Sequence, residues 1–178
     1  VKSRVRDILG EEVEVLHIKG SGWDLGTIEP SGHPAVRMSG LIRLRSLKAL
    51  SDEEMVNVQR TNLLDASAPN PSVETLLHAF LPHKFIDHTH ADAGLAVVDQ
   101  PDAEERVREI FGEEVGVVPY IMPGFALAKL AAEVYEKNPG VKGLMLVRHG
   151  VFSFGETARE SYERMIELVD RCEKAVRT

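Results

Sequence analysis

The chain has a single cysteine, Cys172, among 178 residues. One thiol cannot close an internal disulfide, so the fold does not draw on an oxidising compartment. No stretch approaches the roughly 18 apolar residues of a membrane-spanning helix. The opening Val1-Lys2-Ser3-Arg4-Val5-Arg6 has no apolar signal core. Basic residues are outnumbered, 21 Lys and Arg against 28 Asp and Glu, for a net charge of −7. A chain without a basic stripe is a poor match for nucleic acid or an anionic membrane. There is no internal repeat, no low-complexity segment, no P-loop and no Gly-x-Gly-x-x-Gly fingerprint. A cytoplasmic protein is the default expectation. The start at Val1 rather than Met fits a fragment, a processed chain or one module of a longer polypeptide.

What is present is an ordinary globular balance, 43% apolar and 28% charged, long enough for one domain with a real core. Residues 12–18 alternate around Val13 and Val15, predicting a strand. Glycines and prolines crowd positions 20–34, a turn-rich segment with short strands at most at 27–28 and 35–38. Ser51-Asp52-Glu53-Glu54 is a capping box and opens a helix toward Leu64. A loop at 65–70 leads to a short helix that starts at Pro71-Ser72 and runs to about Leu81. Residues 85–89 read as a buried strand. Pro101 and the acids after it open a helix that ends near Gly112.

Strands are also predicted at 115–119, 144–147 and 151–154, and a helix at 125–137 stopped by Asn138-Pro139-Gly140. Thr157-Ala158-Arg159-Glu160 is a second capping box. It opens a last helix with an apolar stripe of Met165, Ile166, Val169 and Cys172. The sum is an α/β fold with helices covering a central sheet. The pattern leaves the direction of the strands open.

Among the seven histidines, His88 and His90 flank Thr89 at the end of an apolar strand. Residues i and i+2 of a strand point the same way, so two imidazoles can reach one metal at about 2.0–2.1 Å. A strand-end pair of this kind is also compatible with no metal at all. His149 follows a second strand and precedes Gly150, a place where α/β sites gather. Its plain alternative is a capping or core histidine. Three histidines on two strand ends would make an open zinc site with a position left for water or substrate. His78, on a helix, and His83, after Pro82, read as structural or surface residues.

Glu74 is the carboxylate chosen as general base; its plain alternative is an acid favoured by the start of a helix. Lys19-Gly20-Ser21-Gly22 and Pro30-Ser31-Gly32 pair hydroxyls with glycines, so backbone amides can approach a phosphate. Ser72 adds a hydroxyl at a helix start. A small anionic substrate therefore stays open to an acidic chain.

In this order the motifs resemble the class II aldolase/adducin family. Glu29-Pro30-Ser31-Gly32 resembles its phosphate-contacting turn. Pro71-Ser72-Val73-Glu74 resembles its Pro-Ser-x-Glu segment, with serine on phosphate and glutamate as base. His88-Thr89-His90 is similar to its metal pair. Arg148-His149-Gly150 with Phe152-Ser153-Phe154-Gly155 is similar to the segment of its third metal histidine. The finer texture of Lys19–Leu25 and His88–Ala93 resembles the aldolase portion of fused rhamnulose-1-phosphate aldolase/dehydrogenase proteins.

The resemblance implies a three-layer α/β/α fold with a mixed or antiparallel central sheet. It implies one class II aldolase-like domain over 1–178, lacking the family's leading helix and Gly-Asn-x-Ser loop. It implies zinc, or another divalent ion, on His88, His90 and His149, with Glu74 as catalytic base. Tyr120 is the nearest candidate for the proton donor to the leaving alkoxide; its plain alternative is a residue that only lines the pocket. Ser31, Gly32 and Ser72, with Lys19 and Ser21, would hold a substrate phosphate. The implied reaction is cleavage of a ketose 1-phosphate, such as rhamnulose 1-phosphate, by a homotetramer with active sites between subunits. Three alternatives belong to the same resemblance. A sugar-phosphate epimerase would tend to carry Asp where Glu74 stands. A dehydratase of a thio-sugar phosphate is separable only by assay. An adducin-like scaffold would lack the metal histidines.

Overall fold

The computed structural model describes residues 1–177. It divides into two compact units, one of Val1–Pro82 with Met122–Lys129, the other of His83–Ile121 with the chain from Leu130 on.

In the first unit, β1 (Lys2–Arg6), β2 (Glu12–His17) and β3 (Ala35–Arg37) form an antiparallel sheet in that order. Val15, Leu16 and Val36 are buried; Leu16 and its cross-strand partner Val36 share one face, and Val15 lies on the other. Strand β1 has no counterpart in the sequence reading. Lys2, Arg4 and Arg6 interrupt its apolar pattern, and such charges are tolerated because an edge strand keeps one side in water. The short strand expected at 27–28 does not form. Asp24 instead accepts from the Gly26 amide on its side chain at 2.8 Å and from Thr27 on its carbonyl at 3.2 Å, which closes a local turn.

Helices α1 (Met38–Leu44), α2 (Asp52–Thr61) and α3 (Thr75–Phe80) follow. The start of α1 has no capping side chain, only Arg37, so no start signal marks it in the sequence. The predicted capping box of α2 is present in both directions. Helix α3 begins later than expected. Pro71 bridges Gly20 and the Ser72 amide donates to the Lys19 carbonyl, which holds 71–72 extended. Glu74 therefore sits at the N-cap and not in the first turn. His78 is buried within α3, in keeping with a structural role.

The second unit contains β4 (Phe85–Thr89), α4 (Asp92–Val98), α5 (Ala103–Phe111) and β5 (Val115–Val118). It continues with the later turns of α6 (Phe125–Lys137), then β6 (Gly143–Leu146), β7 (Gly150–Gly155) and α7 (Ala158–Val176). Helix α4 is another element without a sequence signal. The sheet order is β4-β7-β6-β5; β5 and β6 are parallel, and β7 runs antiparallel to both β6 and β4. The fold is thus α/β with a mixed sheet, as the resemblance implies.

Register fixes the two faces. Val115, Met145 and Val151 point to one face and pack with Val97, Val98, Val107, Phe111, Leu168 and Cys172 from α4, α5 and α7. Leu144, Leu146, Phe152 and Phe154 point to the other, where α6 lies close. A Cβ on Gly116 would meet Leu144 at 2.6 Å and Val134 of α6 at 2.9 Å, so this strand–helix approach requires a glycine. Helices on both faces of one sheet give the second unit three layers.

Helix α7 carries one correction. Ile166 is exposed, and the buried stripe is Ser161, Met165, Leu168 and Cys172, at helical spacing. The second capping box is half formed. Thr157 accepts from the Glu160 amide at 3.1 Å, but the Glu160 carboxylate accepts from the Glu156 amide. Cys172 is fully buried, and burial pushes its thiol up to about 11.

Leu168→Ala should lower stability by about 2–5 kcal/mol, because it opens a cavity under Gly143 in a packed face. A lowered urea midpoint, with faster labelling of Cys172 by a thiol reagent at fixed urea, checks this. Unchanged stability would mean that the α7 face collapses around the loss.

Candidate metal centre

Strand β7 runs antiparallel to both β4 and β6, so β4, β5 and β6 all point the same way. Their carboxyl ends lie at one edge of the sheet, where ligand sites of α/β folds form. His88 is near the end of β4 and His90 one residue beyond it. His149 closes the turn between β6 and β7, where its amide donates to the Leu146 carbonyl at 3.1 Å. Tyr120 follows β5 and is exposed.

The three imidazoles converge. Ring centroids are 4.6 Å apart for His88 and His90, and His149 lies 5.1 Å from each. Nε2 of His88 and Nε2 of His90 are 2.8 Å apart. One ring nitrogen from each of the three histidines falls within 4.8 Å of the others. Nδ1 of His88 is 3.0 Å from the Val151 carbonyl. A carbonyl only accepts, so Nδ1 carries the proton there and Nε2 faces its neighbours as a lone pair. This is the arrangement by which an outer partner sets the tautomer of a metal histidine. Three convergent nitrogen donors suit a borderline-soft divalent ion such as zinc, with a coordination position left open. The residues fit the group.

The turn that carries His149 is held firmly. Val147 donates to the Val118 carbonyl and Arg148 to the Val98 carbonyl, each at 3.0 Å. Arg148 is left-handed, with φ of 56°, a conformation that costs a non-glycine residue of order 1 kcal/mol. Its guanidinium lies 5.7 Å from the centre of the Tyr120 ring. That contact joins Tyr120 to the turn of His149. His83 is elsewhere in the unit, stacked on Phe154 at 4.3 Å and edge-on to Tyr135, as suits a structural residue.

The expected phosphate residues lie in the first unit, and the structure brings three of their segments together. Gly20 donates to the Gly32 carbonyl at 2.7 Å, Ser21 to Asn70 at 2.8 Å, and Ser72 to Lys19 at 3.1 Å. Segments 19–21, 30–32 and 70–72 thus form one backbone knot, on which Ser21 and Ser31 are exposed. The Lys19 ammonium donates to the Gly20 carbonyl at 3.3 Å, and Ser72 Oγ accepts from the Glu74 amide at the same distance. Glu74 is half-buried beside it at the start of α3. The Val151 carbonyl was absent from the sequence reading, since a backbone acceptor leaves no residue-type signal.

The sequence matches the family described as Class II Aldolase and Adducin N-terminal domain over residues 4–176. The N-terminal class II aldolase domain of a conserved protein from Thermoplasma acidophilum has the same structure at a TM-score of 0.92. It is 40% identical, over 99% of this chain and 81% of that one. The uncharacterized oxidoreductase YuxG of Bacillus subtilis (strain 168) is 35% identical over 176 residues, 99% of this chain but 26% of that protein. The chain therefore spans about a quarter of the length of that curated relative. A sugar-phosphate aldolase from Thermotoga maritima shares the fold at a TM-score of 0.63 and 18% identity, over 93% of this chain and 71% of that one. The chain belongs to the class II aldolase/adducin family.

The wild-type chain should bind about one divalent ion, and His90→Ala should weaken binding by more than the 10–100-fold typical of an outer-shell change. Equilibrium titration with zinc against a competing chelator measures both. Equal affinity of wild type and variant would separate His90 from the site.

Proposed function

We propose that the chain is a zinc-dependent aldolase that cleaves a ketose 1-phosphate, such as rhamnulose 1-phosphate, to dihydroxyacetone phosphate and an aldehyde such as lactaldehyde. The observation that carries this is the convergence of His88, His90 and His149 at the carboxyl ends of β4 and β6. Membership of the family supports the reaction class. The name of the Thermotoga maritima relative, a sugar-phosphate aldolase, supports the substrate class.

A bound divalent ion supplies Lewis-acid stabilisation of negative charge on the substrate oxygens. The chain's own residues do the rest. In the condensation direction, Glu74 takes a proton from the carbon beside the carbonyl of dihydroxyacetone phosphate. That carbon forms a bond to the aldehyde carbon, and Tyr120 donates a proton to the resulting alkoxide. Cleavage runs the same transfers backwards, with the carbon–carbon bond breaking and each proton returning. Ser31, Ser72, Ser21 and Lys19, beside Gly32, hold the phosphate, so remote binding energy orients the reacting carbons. A homotetramer and a cytoplasmic setting complete this reading. Retention of all three histidines favours an enzyme over a scaffold.

Glu74→Gln removes the base but keeps size and hydrogen bonding. It should lower kcat by about 10²–10⁴-fold while zinc affinity stays near wild type. Exchange of a dihydroxyacetone phosphate proton with deuterated solvent, followed by NMR, reads the step directly. Exchange at the wild-type rate would take Glu74 out of the role.

Tyr120→Phe should slow cleavage while leaving that solvent exchange largely intact, because the hydroxyl serves the alkoxide and not the carbon. Loss of both rates together would show that Tyr120 shapes the site as a whole.

A further inference from the structure

The first three residues of β7 all touch the histidine cluster, and each does so differently. Gly150 lies against it. A Cβ at Gly150 would meet the Thr89 carbonyl oxygen at 2.5 Å, Cδ2 of His90 at 2.8 Å and Cε1 of His88 at 3.1 Å. Real side chains do not pack that closely, so the two rings occupy space that only glycine leaves. Val151 offers its carbonyl to His88 Nδ1 at 3.0 Å. Phe152, fully buried, stacks beneath the His88 ring with centroids 4.0 Å apart and planes 16° apart. Space, tautomer and tilt of His88 are therefore each set by a successive residue of one strand.

We infer that Gly150 and Phe152 are positioning residues, and that β7 is a template which preorganises His88 and His90 for a divalent cation before it arrives. This rests on the metal reading above and deepens it. The template has a physical cause in register. His88 is the cross-strand partner of Phe152 and Thr89 that of Val151, so the ring and its stacking surface share one face of the sheet. Substituting either residue alters where Nε2 points without removing a ligand. Affinity then falls because the ion must reorganise the rings that the strand otherwise holds in place.

The test uses cobalt(II) as the probe, whose visible absorption reports coordination geometry as well as binding. Gly150→Ala and Phe152→Leu are compared with wild type. Gly94→Ala serves as control, since its Cβ crowds Val151 Cγ2 at 3.0 Å from the opposite face of the same strand. Both test variants should bind cobalt at least about tenfold more weakly than the control, with an altered absorption spectrum. Wild-type affinity and spectrum in the test variants would overturn the proposal. Equal losses in test variants and control would also overturn it, because general disturbance of β7 would then suffice. Should Gly150→Ala fail to fold, Phe152→Leu decides alone, since it keeps an apolar side chain of similar size. If wild type itself binds no cobalt, the metal reading fails and the template falls with it. That result is distinct from the others.

Discussion

The site depends on β7 pairing with β4 on one side and β6 on the other. One strand antiparallel to both neighbours makes those neighbours parallel. It sets their carboxyl ends side by side, although long stretches of chain separate them. His90 leaves one end and His149 leaves the other. Hydrogen bonds along β7 thus do what proximity in sequence cannot. A shift of one residue in the ladder between β4 and β7 would turn His88 from the face it shares with Phe152 to the opposite one. Register and metal geometry are one constraint.

That constraint is backed by packing. Phe152, Phe154, Leu144 and Met145 are fully buried, so the strands that present the histidines have little freedom to move. The turn between β6 and β7 adds anchors from Val98 and Val118, which belong to other elements. Those bonds over-determine the turn and hold Arg148 in a left-handed conformation it would otherwise avoid. Donors mounted on strand ends and tied at their base are held more exactingly than donors on a free loop.

Much of this was legible in the sequence because it is periodic or locally signalled. The strand at Phe85–Thr89 and the helix at Phe125–Lys137 match the boundaries read from apolar spacing. Ser51 caps α2 as its motif predicts. Elements without such a signal are not legible. Strand β1 carries alternating charges, α1 has an arginine at its cap, and α4 has Ala91, with no capping side chain, at its cap. Elsewhere a local signal was overridden. Pro71-Ser72 reads as a helix start, but pairing with Lys19 and Gly20 holds it extended and moves the helix to Thr75. The gathering of 19–21, 30–32 and 70–72 is also beyond one-dimensional reading, because each segment alone is only a turn.

The two groups of candidate residues lie on different compact units. The histidine cluster is built wholly from the second, around β4, β6 and β7. The glycine–serine knot is built wholly from the first. Charge stabilisation by a metal is indifferent to the rest of the molecule bound, and so are hydroxyls and amides that hold a phosphate. A fold of this kind can keep one reactive centre and change its substrate by altering turns that the sheet around β7 does not need for stability. Membership of a family with the same fold therefore argues more strongly for the reaction class than for any one substrate.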